Sequence, residues 1–247
     1  MKYPKVADAV FLQRPNRFLA RCLLNGEEVL AHVKNTGRCR ELLVPGARVY
    51  LQDHRGEEGK RKTVFSLIAV EKTTETGSLL VNLDSQAPNP VAEEGLKSGR
   101  IRLPLEEGEK LLSIRREVTY GGSRFDLMAE SSQRRWYVEV KGVTLEETAG
   151  GERLVRFPDA PTQRGLKHVE ELIRAKEAGF GAALLFLIQM EGADRFSPNW
   201  GTHEAFGHAL RQAEKAGVAL LAYDCTVEPD SLTAAKPVPI DLGEVEE

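Results

Sequence analysis

Two carboxylates and one ammonium are the groups in this sequence whose types and spacing best suit catalysis. Asp126 lies in Ser123-Arg-Phe-Asp-Leu-Met-Ala, and Glu139 and Lys141 lie in Trp136-Tyr-Val-Glu-Val-Lys-Gly-Val. Two carboxylates held side by side repel each other unless a cation joins them, and hard oxygen ligands suit Mg²⁺ or Mn²⁺. Such an ion can polarise a phosphoryl oxygen and activate water, while a lysine orients that water. We therefore predict a metal-dependent phosphodiester-cleaving site, with Asp126 and Glu139 as metal ligands and all three residues catalytic.

Period-two alternation on both sides of a polar turn predicts that these residues lie on a β-hairpin. If the hairpin is symmetric about Ser132 and Gln133, Asp126 lies opposite Glu139, with Cβ atoms roughly 4.5–5.5 Å apart. The same register places Arg124 opposite Lys141. The Val140 carbonyl is a candidate third ligand. Asp, a gap and then Glu-x-Lys resembles the PD-(D/E)xK nuclease superfamily. The alternative is a solvated hairpin face with cross-strand Asp–Lys pairing.

Three further residues are candidates for this patch. Glu117, on a strand predicted from Ile114 to Tyr120, is either a third carboxylate or a surface residue. Arg164 and His168 lie one turn apart on a helix predicted from about Ala160 to Ala178, with Asp159 as its N-cap. Their spacing fits a contact with the scissile phosphate and a solvated helix face equally well.

Residues 1–85 are predicted to be all-β. Asn25-Gly26 separates two apolar segments and is a strong hairpin signal. Further strands are predicted at 48–52, 63–71 and 78–83. Five short strands favour a small closed barrel, of which the OB-fold is the commonest that handles nucleic acid. The basic residues near the first hairpin form either a phosphate-binding face or a charged exterior; they are Arg14, Arg17, Arg21, Lys34, Arg38 and Arg40.

The remaining chain predicts an α/β (α+β) domain with a mixed sheet and helices packed on it. Gly181–Ile188 is a continuous apolar strand, followed by a helix from Thr202 and a strand from Val218 to Tyr223. We also expect a short helix over 106–113, a mobile polar loop over 144–152 and a loose acidic tail. The predicted domains are 1–85, 86–228 and 229–247.

Composition limits the function less than the motifs do. Residues 1–85 hold 14 Lys and Arg against 10 Asp and Glu, whereas the whole chain has a net charge of −3. The mildly basic N-terminal third permits a phosphate-binding face. The longest apolar run, Ala182 to Ile188, is too short to span a bilayer, so we expect no membrane association. Three cysteines without C-x-x-C spacing fit a reducing compartment, and we expect a cytoplasmic protein.

Five ordered motifs resemble the sugar fermentation stimulation protein A (SfsA) family. They are Arg14-Pro-Asn-Arg-Phe18, His32-Val-Lys-Asn-Thr-Gly-Arg38, Gly122-Ser-Arg-Phe-Asp126, Glu139-Val-Lys-Gly-Val-Thr-Leu145 and Phe157-Pro-Asp-Ala-Pro-Thr-Gln-Arg-Gly-Leu-Lys-His168. The resemblance implies an N-terminal OB-like domain and a C-terminal PD-(D/E)xK nuclease-like domain. It also implies nonspecific DNA binding and a link to the regulation of sugar metabolism, notably that of maltose.

Two main functional hypotheses follow. The first is a DNA-binding protein with a Mg²⁺- or Mn²⁺-dependent nuclease site, in which Arg14, Arg17, Lys34, Arg38, Arg164 and His168 contact nucleic acid. The second is a nonenzymatic DNA-binding regulator whose nuclease site is a relict. An RNA- or nucleotide-processing enzyme is a third option, since an OB-like half suits RNA equally. Because the paired carboxylates would repel each other, we also expect Glu139→Ala to stabilise the metal-free protein.

Overall fold

The computed structural model describes residues 1–35, 37, 39–57, 62–74, 77–149 and 151–243. The chain divides into two compact units. Unit 1 consists of Met1–Ala87, Gln189–Glu191 and Cys225–Thr233, and unit 2 consists of Pro88–Ile188, Gly192–Asp224 and the chain from Ala234 onward. Among the described residues, no helix has both the length and the apolar character needed to cross a membrane.

Unit 1 is built on a ring of five strands. The six strands of its sheet are β1 Val6–Asn16, β2 Leu19–Leu24, β3 Glu27–Val33, β4 Arg48–Asp53, β5 Phe65–Thr74 and β6 Gly77–Asn82. Their order is β3-β2-β1-β4-β5-β6, and an additional parallel pairing of β3 with β5 closes the ring. Alternate residues fill its interior, among them Cys22, Ala31 and Leu51, which are all buried. The predicted OB-like barrel is therefore confirmed.

The strand inventory of unit 1 differs from the prediction in one respect. The Asn25-Gly26 hairpin forms as expected, with φ of 51° and 85° at its two central residues. The strand β1 was not predicted, however, because Gln13, Arg14 and Pro15 interrupt its apolar alternation. The ring therefore consists of β1–β5, and the strand predicted at 78–83 forms β6, which pairs with β5 at the edge of the sheet.

Unit 1 also pairs the first residues of the chain with a segment near residue 230. Lys2 forms a bridge with Ser231. The N–H of Tyr3 donates to the carbonyl of Asp230 at 2.7 Å, and the N–H of Leu232 donates to the carbonyl of Met1 at 3.0 Å. Tyr3 is buried in this unit. Contacts far apart in sequence thus complete its fold.

The second sheet holds the hairpin. Its order is β15-β14-β12-β9-β8-β7, antiparallel from β7 to β9 and parallel through β9, β12 and β14. This is the mixed sheet predicted from the sequence. The elements after β6 are α1 Pro88–Ser98, β7 Leu111–Tyr120, β8 Ser123–Ser131, β9 Arg135–Val143, β10 Leu145–Ala149, β11 Glu152–Phe157, α2 Gln163–Glu177, β12 Gly181–Ile188, β13 Arg195–Pro198, α3 Trp200–Lys215, β14 Ala219–Glu228 and β15 Ser231–Pro237.

The central strand β12 fixes the position of β9. All eight of its residues are buried, as its continuous apolar sequence predicts. Gly181 is opposite Trp136, and a Cβ atom at Gly181 would lie only 2.1 Å from the indole ring. Glycine at this position therefore allows β12 to pack closely against Trp136, near the start of β9.

The helix α2 begins later than predicted. Its N-cap is Thr162 rather than Asp159, and the Thr162 hydroxyl accepts the N–H of Gly165 at 2.9 Å. Asp159 lies three residues before that cap and is exposed. Gly179, with φ of +88°, follows the helix as expected. Val169 and Leu172 are buried as predicted, but so are the polar residues His168 and Glu171.

Three segments predicted to be irregular or helical contain strands or lead into one. The predicted helix over 106–113 is a turn leading into β7, and the predicted loop over 144–152 contains β10 and the first residue of β11. These two strands and β13 form a separate three-stranded sheet. The tail predicted to be loose contains β15, in which Leu232 and Ala234 are buried. Burial of these two apolar side chains stabilises the strand, which is why this part of the tail is not loose.

Candidate metal and nucleic-acid site

The β8–β9 hairpin has the predicted register. Leu127 pairs with Val138 and Met128 with Tyr137, as symmetry about Ser132 and Gln133 requires. The backbone pairing of β8 with β9 ends at Leu127 and Val138. The next N–H of β9 that faces β8, that of Val140, donates to Asp126 Oδ2 at 2.9 Å. The Asp126 carboxylate is therefore held against β9, next to Glu139.

Asn89, in the first turn of α1, was not predicted to take part in the site. Its Nδ2 donates to Asp126 Oδ1 at 2.8 Å, so both oxygens of this carboxylate are oriented by neighbours. No local feature of the sequence marks Asn89, because its role depends on how α1 packs against the hairpin. The register of β8 and β9 alone therefore does not indicate Asn89.

Glu139 is the centre of the site. It is 2% exposed, and its Oε1 accepts a hydrogen bond from Lys141 Nζ at 2.5 Å. The same Oε1 interacts with His168 Nδ1. Because an ionised carboxylate only accepts hydrogen bonds, we assign the hydrogen to His168 Nδ1. One oxygen of Glu139 therefore satisfies two donors from different elements.

The other oxygen of Glu139 is unsatisfied. Within the described part of the chain, Oε2 is buried and has no hydrogen-bond partner. Leaving a buried anionic oxygen unpaired costs free energy, so such an atom calls for a ligand. The Asp126 carboxylate is close enough for its charge to act on that of Glu139. Two adjacent carboxylates, one with an orphaned oxygen, fit a hard divalent cation.

The two carboxyl groups differ in acidity. Burial raises the pKa of Asp126, the charge of Glu139 raises it further, and the bonds from Val140 and Asn89 oppose the shift. Burial also acts to raise the pKa of Glu139. There the hydrogen bond from His168 and the charge of Lys141 outweigh burial, so the net pKa lies below the ordinary value.

The protein offers few ligands of its own to a cation. Among the described residues, no cluster of three or more His, Cys, Asp or Glu side chains is arranged to hold a metal ion. Mg²⁺ is commonly bound through one or two carboxylates and keeps several waters. Asp126 and Glu139 fit that mode of binding.

Two residues predicted near the patch lie elsewhere. Glu117 has φ of +58°, and its exposed carboxylate forms an ion pair with Arg124. It therefore occupies the surface, which is the second of the two predicted alternatives, and it is not a third ligand. Arg124 is accordingly not directed at Lys141, whose ammonium contacts Glu139 instead.

Arg164 and His168 are separated by burial. Arg164 is exposed in the first turn of α2, whereas His168 is only 5% exposed and lies against Glu139 and the Phe125 ring. Of the two predicted alternatives, a solvated helix face does not hold for His168, because its ring is buried against the acid on β9. Arg164 stays a predicted phosphate contact.

The basic residues of unit 1 have unequal roles. The Arg14 guanidinium donates to the carbonyls of Gly37, Arg17 and Asn35 at 2.7–2.8 Å, so it joins the β1–β2 turn to the backbone after β3. Lys34 Nζ donates to the fully buried Asp84 at 2.7 Å. Both cations therefore have acceptors within unit 1, and their contact with nucleic acid stays a prediction. Arg17 is exposed, and Arg38 lies outside the described residues.

Comparison with known families identifies both units. The model of the SfsA N-terminal OB domain matches residues 12–81. The model of the sugar fermentation stimulation protein RE domain matches residues 86–231. The first match covers most of the ring, and the second covers most of the mixed sheet.

Whole-chain relatives agree with the family models. The sugar fermentation stimulation protein homolog of Desulfitobacterium hafniense (strain DSM 10664 / DCB-2) is 48% identical over 244 residues, which cover 99% of this chain and 100% of the relative. The homolog of Alkaliphilus oremlandii is 47% identical and covers 98% and 99%, respectively. The homolog of Clostridium perfringens (strain SM101) is 48% identical over 247 residues.

A solved structure shares the fold. The structure of Pyrococcus furiosus SfsA in complex with Ca²⁺ superposes with a TM-score of 0.80 and covers 98% of each chain. Sequence identity between the two is 24%. The arrangement of elements described above is therefore also that of the archaeal protein.

Proposed function

The chain belongs to the sugar fermentation stimulation protein family, and on that basis we propose that it is a sequence-nonspecific DNA-binding protein with a metal-dependent phosphodiesterase site. The site lies in unit 2 at Asp126, Glu139 and Lys141. One observation carries the proposal. Glu139 Oε1 binds Lys141 and His168, whereas the buried Oε2 has no partner among the described residues and lies beside a second carboxylate.

A divalent cation is the ligand that this arrangement suits. Mg²⁺ or Mn²⁺ bound by Asp126 and Glu139 would polarise a phosphoryl oxygen and lower the pKa of a water. The Ca²⁺ named for the archaeal structure of the same fold supports a requirement for a hard cation. A cation would also relieve the repulsion that raises the pKa of Asp126.

The chain's own residues then have separate roles. Lys141 brings a positive charge to the mouth of the site, where it can orient water or offset charge on a phosphate. His168 fixes the rotamer of Glu139 by binding Oε1, which keeps Oε2 directed away from the donors. Asn89 and the Val140 N–H hold Asp126 in the same way. Each ligand is thus preorganised by neighbours that do not touch the substrate.

DNA binding is assigned to the OB ring and to exposed cations. Arg17 and Arg164 are exposed, and contacts of such residues with phosphates carry no sequence information. In keeping with the family name, we propose that this binding serves the regulation of sugar metabolism, including that of maltose. We place the protein in the cytoplasm, since Cys22, Cys39 and Cys225 are buried and lack the spacing of a disulfide framework.

A nonenzymatic DNA-binding regulator is the alternative function. The observation that favours it is the 2.5 Å bond between Lys141 and Glu139, because this bond neutralises part of the charge that would hold a cation. In that case the carboxylates and lysine form a structural ion pair. An RNA-processing enzyme is a further alternative. Including RNA among the substrates of the assay tests it.

The test is cleavage of single-stranded DNA, double-stranded DNA and RNA with Mg²⁺, Mn²⁺ or EDTA. We expect Lys141→Ala and Glu139→Ala to lose about 100- to 10,000-fold of the metal-dependent rate. Lys97→Ala is the matched control, since Lys97 is an exposed lysine of unit 2 paired with Glu93. It should cut as well as the unaltered protein, and all proteins should be purified identically to exclude a contaminating nuclease.

Each outcome separates the hypotheses. Metal-dependent cutting that is lost in Lys141→Ala and retained in Lys97→Ala supports a nuclease at this hairpin. Cutting of equal rate in every variant, or in EDTA, would contradict it. If nothing is cut but DNA is bound with an affinity that falls as salt is raised, the regulator is the better description.

A further inference from the structure

A cleft on the outer face of unit 1 has no role in the site described above. Its volume is about 520 Å³, within the range of small-molecule sites. Phe18, Leu19 and Leu30 form its apolar lining, and Asn16, His32 and Lys62 contribute polar groups. Leu30 and His32 face outward because the residues that alternate with them, Ala31 and Val33, fill the ring.

Two apolar side chains of the cleft are unusually exposed. Phe18 is 44% exposed and Leu30 is 48% exposed. Phe18 lies in the two-residue turn between β1 and β2, where Asn16 pairs with Leu19. The backbone of this turn is fixed at two points. The Phe18 N–H donates to Asn16 Oδ1 at 2.9 Å, and the Phe18 carbonyl accepts the N–H of Val33 at 2.8 Å. The phenyl ring is therefore displayed on a preorganised turn.

The charge around the cleft is positive. The Arg17 guanidinium lies 4.7 Å from the centre of the Phe18 ring, and Lys62 is exposed. Among the described residues that line the cleft, none is acidic. A purely apolar partner would gain nothing from these cations, and a purely anionic partner would gain nothing from Phe18 and Leu30. The occupant should combine a flat apolar group with a negative charge.

We infer that this cleft receives an unpaired base of single-stranded nucleic acid, stacked on Phe18, with the adjacent phosphates near Arg17 and Lys62. Every base has a face that can stack on an aromatic ring, so such contact is tolerant of sequence. In a duplex the bases are paired and stacked, so the cleft favours single strands over double strands. The inference rests on the proposed nucleic-acid binding and adds the strand type that unit 1 selects.

The experiment compares three probes in EDTA, so that no metal-dependent cleavage interferes. They are a fluorescent oligodeoxynucleotide of about 12 nucleotides, the same strand with abasic sites, and the corresponding duplex. All three carry phosphates, but only the first offers unpaired bases. We expect the intact single strand to bind about 5- to 150-fold more tightly than the abasic strand, by anisotropy.

The variants test whether Phe18 is responsible. Phe18→Ala should remove most of the difference between the intact and abasic strands, and Phe18→Tyr should restore it. Val44→Ala is the matched control, since Val44 is 47% exposed in the same unit but does not line the cleft. It should leave all affinities unchanged. Because Phe18 is half exposed, these substitutions should leave the fold intact, which circular dichroism will verify.

The results that would overturn the inference differ from those that would overturn DNA binding. Equal affinities for intact and abasic strands, or no effect of Phe18→Ala, would reject the cleft while leaving phosphate binding in place. Absence of binding to any probe would reject both. If Phe18→Ala changes the sedimentation coefficient but not the affinity, the cleft belongs to an interface with a second copy of the chain.

Discussion

At the scale of single residues, Asp126 and Glu139 have environments that act on their charges in opposite directions. The folded state raises the pKa of Asp126 and lowers that of Glu139. Ionised Asp126 therefore destabilises the metal-free fold, and this penalty disappears as the pH falls through its raised pKa. The stability that Glu139 contributes is present above its unfolded-state pKa and is lost only as the pH falls through its lowered pKa.

Substitution of these two carboxylates should consequently have unequal effects in EDTA. Asp126→Asn should gain stability relative to the unaltered protein at pH 8, and this difference should shrink as the pH is lowered through the raised pKa. Glu139→Ala should lose about 3–5 kcal/mol, since it leaves Lys141 and His168 without their shared partner. Thermal melts of both variants from pH 8 to pH 4 measure the differences. A gain in stability in Glu139→Ala, as the sequence alone suggested, would contradict this ordering.

At the scale of secondary-structure elements, α2 depends on one capping side chain. Thr162→Ala removes the hydroxyl that accepts the Gly165 N–H and should reduce the free energy of unfolding by about 0.5–2 kcal/mol. Thr202→Ala is the comparison, because α3 begins at Trp200 and its N-cap Asn199 makes no side-chain cap hydrogen bond. Urea unfolding should show a change within about 0.5 kcal/mol for Thr202→Ala. Equal losses in the two variants would remove the capping role.

The elements that the sequence predicted are those whose signals are local. Alternation on both sides of a polar turn predicted the register of β8 and β9, and a continuous apolar run predicted the buried strand β12. His168 was predicted near the patch but not as a partner of Glu139, and Asn89 was not predicted there, because each meets a carboxylate from another element. Thr162 was overlooked as the N-cap because Asp159 satisfies the same local rule. Packing, which a single sequence does not display, decided these cases.

At the scale of the whole molecule, the three thiols report on the integrity of unit 1. Cys22, Cys39 and Cys225 are all buried, and burial raises the pKa of the Cys22 thiol to about 12. Since the thiolate is the reactive form, Ellman's reagent should react with close to none of them in the native protein and with all three in urea. A thiol that reacts rapidly and stoichiometrically under native conditions would show that the unit opens readily.

The pairing of the first residues with the segment near residue 230 has a consequence for biosynthesis. Asp230 and Leu232, the partners of Tyr3 and Met1, have not yet been synthesised when the ring strands have been made. After Ala87 has been added, the ribosome must still continue to Thr233, which takes roughly 7–30 s at about 5–20 residues per second. Unit 1 therefore cannot be completed until most of unit 2 has been synthesised, although the strands of its ring are made early.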